Sequence, residues 1–174
     1  MREKRILVRL TCVDDLDKVM AIYAYARKRM AESGNPNQWI DGYPTVADIN
    51  KDICNGVSYV IEIDGIIAGV FTYIIGKDPT YEVIDGEWLN DNPYGTIHRI
   101  AAASGYRGVA DICLDFCKSK GVDIRIDTHA DNAPMLGWIS SRGFSYCGVI
   151  RCHNGTPRKA FHNPVAETSF LIAE

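Results

Sequence analysis

The sequence predicts an α/β (α+β) fold, a mixed and mostly antiparallel sheet of about seven strands with helices on both faces, and three observations carry that prediction. Apolar residues alternate with period two in some stretches and recur at helical spacing in others. Two turn signals, Asp64-Gly65 and Asn154-Gly155, join neighbouring strands as hairpins. One stretch reads strand, helix, strand over 96–103, 108–120 and 122–128, which is a parallel crossover unit.

The elements follow in order. Ile6 to Leu10 is a short apolar strand, and Thr11-x-x-Asp14 has the form of a capping box that opens a helix. Leu16, Val19, Met20, Tyr23, Ala26 and Met30 recur at helical spacing and form a stripe for burial, ended by Ser33-Gly34. A loop over 35–44 carries two large aromatics, Trp39 and Tyr43. Thr45-x-x-Asp48 opens a second helix with Val46, Ile49 and Ile53 on one face, stopped at Asn55-Gly56. Val57, Tyr59, Ile61 and Ile63 make the first arm of a hairpin, and Ile66 to Ile75 returns as the second. Residues 76–95 have no period and carry five acids (Asp78, Glu82, Asp85, Glu87, Asp91) against Lys77. After the crossover unit, a helix over 132–142 is ended by Gly143, and strands 144–151 and 158–161 close the pattern. No repeat or linker interrupts it, so residues 1–174 read as one domain.

Composition sets the outer bounds. The chain has 174 residues, of which 47% are hydrophobic and 24% charged. Those proportions describe an ordinary globular sequence able to bury a core without disulfides or a structural metal. A net charge of −3 gives no general pull toward nucleic acid or an anionic membrane, so neither is expected as a partner. No stretch has the length of a signal peptide core or membrane span, and a cytoplasmic location is expected. The six cysteines include no CxxC pair and no histidine at zinc spacing. They read as small buried hydrophobes, and no metal is expected.

The chemistry concentrates in Ile97-His98-Arg99-Ile100-Ala101-Ala102-Ala103-Ser104-Gly105-Tyr106-Arg107-Gly108. A strand that feeds through a short turn into a helix gathers free backbone N–H groups and the positive end of the helix dipole at one point. Such a point suits a diphosphate, although strand, turn and helix with a glycine is a common pattern.

Ile100 to Gly108 resembles the strand and pyrophosphate loop of the GNAT acetyltransferase superfamily. Asn132-x-x-Met135 followed by Arg142-Gly143-Phe144 is similar to a later segment of the same superfamily. Gln38-Trp39 with Gly42-Tyr43-Pro44, the run Gly86-Glu87-Trp88-Leu89-Asn90-Asp91-x-Pro93-Tyr94-Gly95, and Asp127-Thr128-His129 resemble a bacterial subgroup. The ordered set, from about residue 5 to 162, carries the resemblance.

The resemblance implies an N-acetyltransferase that uses acetyl-CoA as co-substrate. The backbone of Ile100, Ala101 and Ala102 would pair with the pantetheine amides, and the loop amides of Arg107, Gly108, Val109, Ala110, Asp111 and Ile112 would hold the pyrophosphate. A backbone N–H of the same strand would stabilise the oxyanion. Asn132 would contact the pantetheine arm, and a plain helix N-cap is its other reading. The loop departs from the family pattern, because Ala110 and Ile112 stand where small glycine-like residues are usual. Asp111 adds a negative charge at the helix start. Ile139 occupies the position at which many members carry a Tyr that protonates departing thiolate; Ser140, Ser141 and Tyr146 lie nearby.

Attack of an amine on a thioester requires a base for the ammonium proton. Glu87 and His98 are the candidates, with a solvated surface acid and a hydrogen-bonded core histidine as their plainer readings. His129 has a structural reading. The acids of 76–95, Glu82 among them, with Trp39, Tyr43, Tyr81 and Trp88 as walls, would form a pocket for a small cationic amine, and a solvated charged loop is the alternative. A non-catalytic CoA-binding or ligand-sensing module is the rival function. The sequence leaves the oligomeric state open, with a homodimer compatible.

Overall fold

The protein is described by a computed structural model covering residues 4–165. Strands β1 (Ile6–Leu10), β2 (Ser58–Ile63), β3 (Ile66–Ile75), β4 (Asp85–Gly86), β5 (Tyr94–Ala102), β6 (Asp123–Thr128), β7 (Ser145–Arg151) and β8 (Pro157–Asn163) form one sheet, ordered β1-β2-β3-β5-β6-β8-β7-β4. Among the described residues only β5 and β6 run parallel, joined by helix α3 (Val109–Lys118); the remaining pairs are antiparallel. Among the described residues the sheet thus has eight strands, where about seven were expected. The extra one, β4, lies in the segment without periodicity and consists of two residues, too few for alternation to register.

Helices α1 (Leu16–Glu32) and α2 (Val46–Cys54) cover one face, and α3 with α4 (Ala133–Ser141) covers the other. Val19, Ile22, Tyr23 and Ile49 pack on Val60, Val70 and Ala101. Cys113, Leu114, Cys117 and Ile139 pack on Ile61, Phe71, Ile97, Ile124 and Ile126. Burying both faces explains why β3 reads as a continuous apolar run rather than an alternating one.

Local expectations fail by small shifts with identifiable causes. The first cap uses Cys12 and Asp15, not Thr11 and Asp14: the Asp15 carboxylate accepts the Cys12 N–H at 2.9 Å while the Thr11 hydroxyl is engaged by Ser58 at 2.8 Å. Asp15 also receives Arg9 at 2.7 and 3.0 Å, and this pairing holds its carboxyl well below the ordinary range. Thr45 and Asp48 form the second capping box as read. Val46 is exposed, while Asp52 of the same helix is buried and accepts the Thr72 hydroxyl at 2.7 Å. Of the cysteines, Cys113, Cys117 and Cys147 are buried as expected, but Cys12 and Cys54 are exposed because they sit at helix ends. The final residues beyond 165 lie outside the described residues. Among those described, no helix is long and apolar enough to cross a membrane.

The far half of the sheet carries a buried histidine, His162, whose Nε2 pairs with Asp123 at 3.0 Å. Burial, with the Arg125 charge, outweighs Asp123 and lowers its pKa below the ordinary value. The folded state therefore resists a proton that the unfolded chain takes up near pH 6.5, so stability falls as pH drops below that point, at up to about 1.4 kcal/mol per pH unit. Urea midpoints measured from pH 7.5 down to 5 should decline, and His162→Gln should flatten the slope; an unchanged slope in the variant would assign the loss to other groups.

Candidate active site

The parallel strands part company part-way along. Tyr94 to Ile97 of β5 pair with Asp123 to Ile126 of β6, and from His98 onward β5 has no strand partner on that side among the described residues. On its other side β5 continues against β3 as far as Ala102. The result is a fork with a free strand edge over residues 98–102, able to receive an extended amide-bearing ligand as a strand would.

A bulge sits at the mouth of the fork. Val70 opposes Ala101 and Thr72 opposes His98, so Phe71 alone faces both Arg99 and Ile100. Arg99 takes a positive φ (φ 52). That left-handed conformation is one a bulky residue adopts only when its surroundings hold it. Here the Tyr23 hydroxyl donates to the Arg99 carbonyl at 2.9 Å, and the guanidinium lies over the Tyr43 ring and reaches Asp52 at 3.4 Å. The bulge breaks the alternation of the strand. His98 and Arg99 both project toward the face of α1 and α2, where their contacts lie.

Beyond the fork, α3 begins at Gly108, whose positive φ (φ 77) is one that glycine adopts without strain. The amides of Arg107, Gly108, Val109 and Ala110 find no acceptor among the described residues, so four donors converge at the helix start. Gly69 of β3 lets this start approach closely, since a Cβ there would collide with Val109 and the Ala101 carbonyl. Ala110 and Ile112 are half-buried, and Ile112 packs into the α3 core. Asp111 turns away toward α4: Arg142 donates to it at 2.6 and 3.1 Å and Trp138 Nε1 at 2.9 Å. Those bonds hold its carboxyl below the ordinary range and offset its charge at the helix start.

Asn132 caps α4, its Oδ1 accepting the Met135 N–H at 3.2 Å. Its Nδ2 donates to Gln38 Oε1 at 2.9 Å, and the same oxygen takes Asn35 Nδ2 at 2.9 Å, so Gln38 ties the 35–44 loop to the end of β6. Ile139 is fully buried, Ser140 and Ser141 are both exposed, and Tyr146 lies exposed on β7.

The segment between β3 and β5 crosses β5, β6 and β8 to reach β7 and returns, lying over the sheet on the α1/α2 side. Tyr81, fully buried, packs on Tyr94, Ile150 and Ala160. Trp88 stacks on the Arg125 guanidinium at 4.1 Å and donates its indole N–H to the Tyr81 carbonyl at 3.1 Å. The expected aromatic walls are thus divided: Trp39 packs edge-on against Tyr23, Tyr43 lies under Arg99, and Tyr81 and Trp88 pack together in the cluster below β6 and β8. Glu82 and Glu87 are exposed, and the Glu87 backbone is bonded to Cys147 on the far side of β7.

His98 does acquire partners. Its Nε2 lies 2.7 Å from Asp78 Oδ2 and its Nδ1 3.9 Å from Asp127 Oδ1. Asp78 is a buried carboxylate; burial pushes its pKa up, but the hydrogen bonds from His98 and Thr80 prevail and hold it well below the ordinary range. Asp127 accepts the Tyr81 hydroxyl at 2.7 Å and has Arg158 at 4.0 Å. Read from sequence, Asp78 is one acid of the loop, and Asp127 and Arg158 have no role in the chemistry. The available signal was the charged face of β6, where Asp123, Arg125 and Asp127 alternate with Ile124 and Ile126. A charged face on a strand covered on both sides marks an internal polar site. No group of three His, Cys, Asp or Glu side chains suited to a metal occurs among the described residues.

No protein-family model and no curated protein matches the chain. Solved structures do match. A GNAT-family acetyltransferase from Streptococcus agalactiae shares 34% identity over 93% of this chain and 96% of its own, with a TM-score of 0.82. A GNAT-family acetyltransferase from Listeria monocytogenes superposes with a TM-score of 0.67 at 23% identity, over 91% of this chain and 94% of that one. A candidate acetyltransferase from Salmonella typhimurium, described with its cofactor acetyl-CoA, has a TM-score of 0.58 at 14% identity over 94% and 96%, a likeness of fold alone. With a third of its residues identical to the streptococcal enzyme over nearly its whole length, and with the forked sheet described above, the chain belongs to the GNAT family of acetyltransferases.

Proposed function

We propose that the protein transfers an acetyl group from acetyl-CoA to the amine of a small cationic acceptor, within one acetyltransferase-like domain spanning 1–174. The observation that carries this reading is the fork between β5 and β6, with its free edge at 98–102 leading to the unpaired amides of residues 107–110. The donor set fits the cofactor: an extended edge for the amide-bearing arm and a helix N-terminus for the diphosphate. The Salmonella protein of the same fold, with acetyl-CoA as its cofactor, supports the choice of donor. When bound, the cofactor supplies an activated thioester.

The protein's own residues supply the rest. The backbone of Ile100, Ala101 and Ala102 aligns the arm, and an N–H on its free side, that of Ile100 or Ala102, stabilises negative charge developing on the carbonyl oxygen. Arg107 to Ile112 present backbone donors to the diphosphate, and the Arg142 clamp keeps the Asp111 carboxylate out of its way. Asn132 borders the arm while holding the start of α4. On the acceptor side His98 is the base that the geometry favours over Glu87, since it stands at the fork with a carboxylate on each ring nitrogen's side. Ile139 itself is apolar and supplies no proton, and a thiolate leaves readily without a dedicated acid.

At about a hundredfold its Kd, acetyl-CoA should stabilise the fold by about 2.7 kcal/mol, a rise in melting temperature of roughly 5–11 °C. Gly108→Pro, which cannot adopt a positive φ, should lose that rise. Release of free thiol on adding primary amines completes the test. Absence of a melting shift at millimolar acetyl-CoA overturns the choice of donor, and a shift without thiol release from any amine overturns the choice of acceptor.

A further inference from the structure

We propose that Asp127 is the carboxylate that receives the acceptor's ammonium, and that Asp78 is the positioning residue that presents His98 Nδ1 to it. The inference rests on the amine-acceptor reading and assigns that acceptor's binding site.

Strand register places the pair. Ile97 opposite Ile126 is the last rung joining β5 and β6, and both side chains enter the core under α3. The next residue on each strand is His98 and Asp127, and both therefore project to the opposite face. They stand at the apex of the fork, where the strands separate and a thioester lying along the free edge would end.

Hydrogen-bond partners give each group a role. Asp78 Oδ1 accepts the Thr80 N–H at 2.9 Å and the Thr80 hydroxyl at 2.6 Å, which fixes the carboxylate and aims Oδ2 at His98 Nε2, 2.7 Å away. An ionised Asp78 can only accept, so Nε2 carries the ring proton and the Nδ1 lone pair is left free. Nδ1 faces Asp127 Oδ1 across 3.9 Å. That oxygen already takes the Tyr81 hydroxyl, whereas Oδ2 has no hydrogen bond among the described residues. Arg158 directs its Nη donors to Thr156 Oγ1 and the carbonyls of Pro157 and Gln38, and its Nε, 4.0 Å from Oδ2, stands beyond hydrogen-bond distance of that oxygen. A carboxylate only 12% exposed with a spare oxygen calls for a cation. A primary ammonium with three donors can lie about 2.8 Å from Asp127 and from Nδ1 at once.

The transfer then balances. One ammonium N–H bond breaks and its proton passes to Nδ1, leaving a neutral amine and an imidazolium flanked by Asp78 and Asp127. The freed lone pair on nitrogen bonds to the thioester carbonyl carbon, the C–S bond breaks with its electron pair on sulfur, and a second proton from nitrogen goes to that sulfur. The products are an amide, free CoA thiol and one proton, returned by His98 to solvent.

The test measures thiol release at neutral pH with n-butylamine, putrescine, tyramine and O-methylhydroxylamine, the last already neutral. Asp127→Asn should raise KM for the preferred alkylamine at least about tenfold with KM for acetyl-CoA within about twofold of wild type. Asp78→Asn should lower kcat about thirtyfold with the alkylamine but less than about threefold with O-methylhydroxylamine, which needs no base. Equal losses on both acceptors, or an unchanged alkylamine KM in Asp127→Asn, overturn the proposal while leaving acetyl transfer to amines intact. Absence of turnover by wild type on every amine removes the amine reading and this site with it. If Asp127→Asn does not fold, Asp127→Glu takes its place, and failure of both to fold assigns the carboxylate to the fold and overturns the proposal.

Discussion

Replacing His98 with Gln should lower kcat/KM for an amine acceptor by about 10²–10⁴, the usual contribution of a positioned general base. Gln preserves length and can still donate to Asp78, so the local hydrogen bond survives while the proton-accepting nitrogen is lost. The melting shift produced by acetyl-CoA should persist, because the contacts proposed for the cofactor are backbone groups that the substitution leaves in place. Paired measurements of thiol release and melting temperature separate the two sides. Activity within threefold of wild type would remove His98 from the chemistry, and a parallel loss of the melting shift would make it a structural residue.

The largest effect on stability is expected from Phe71→Ala. Phe71 is fully buried, stacked on Tyr59 with ring centroids 5.3 Å apart and set edge-on to Phe116 at 5.8 Å. Truncating such a ring costs about 3–5 kcal/mol through lost burial and the cavity left behind. For a chain of this size that corresponds to a fall in melting temperature of roughly 6–20 °C. Phe71 is also the single residue opposing the bulge at Arg99 and Ile100, so its loss loosens the strand edge proposed for the cofactor. Urea titration should show a lower midpoint with an unchanged slope. A loss under about 1.5 kcal/mol, half the low end of that range, would mean that the neighbouring rings close over the gap.

The two halves of the site differ in how far they could be read in advance. Apart from Asn132, the proposed cofactor side occupies one continuous stretch, from the strand at 94–102 through the turn to the start of α3. Local rules apply to it: an apolar run, a glycine, a helix start. The proposed acceptor side draws on Asp78, Tyr81, His98, Asp127 and Arg158, which meet only when the 76–93 segment crosses the sheet. Glu82 and Glu87 had the same local credentials as Asp78, yet the crossing leaves them in solvent. Trp39, Tyr43, Tyr81 and Trp88 read as one set of walls, and packing kept only Tyr81 and Trp88 together while sending Trp39 to Tyr23 and Tyr43 to Arg99.

The mixed sheet, the βαβ crossover, both hairpins and the anion-ready start of α3 were legible in the residues alone, because each follows from interactions within a few positions of the chain. The resemblance to acetyltransferases pointed to the family. Long-range packing was needed to part β5 from β6 after Ile97 and Ile126, to bulge Arg99 under Tyr23, and to swing Asp111 to Arg142. It also brought His98 between two carboxylates. The reason is that burial and hydrogen-bond pairing are set by whichever distant segment fills the space opposite, and a residue's own neighbours in the chain carry no record of that choice.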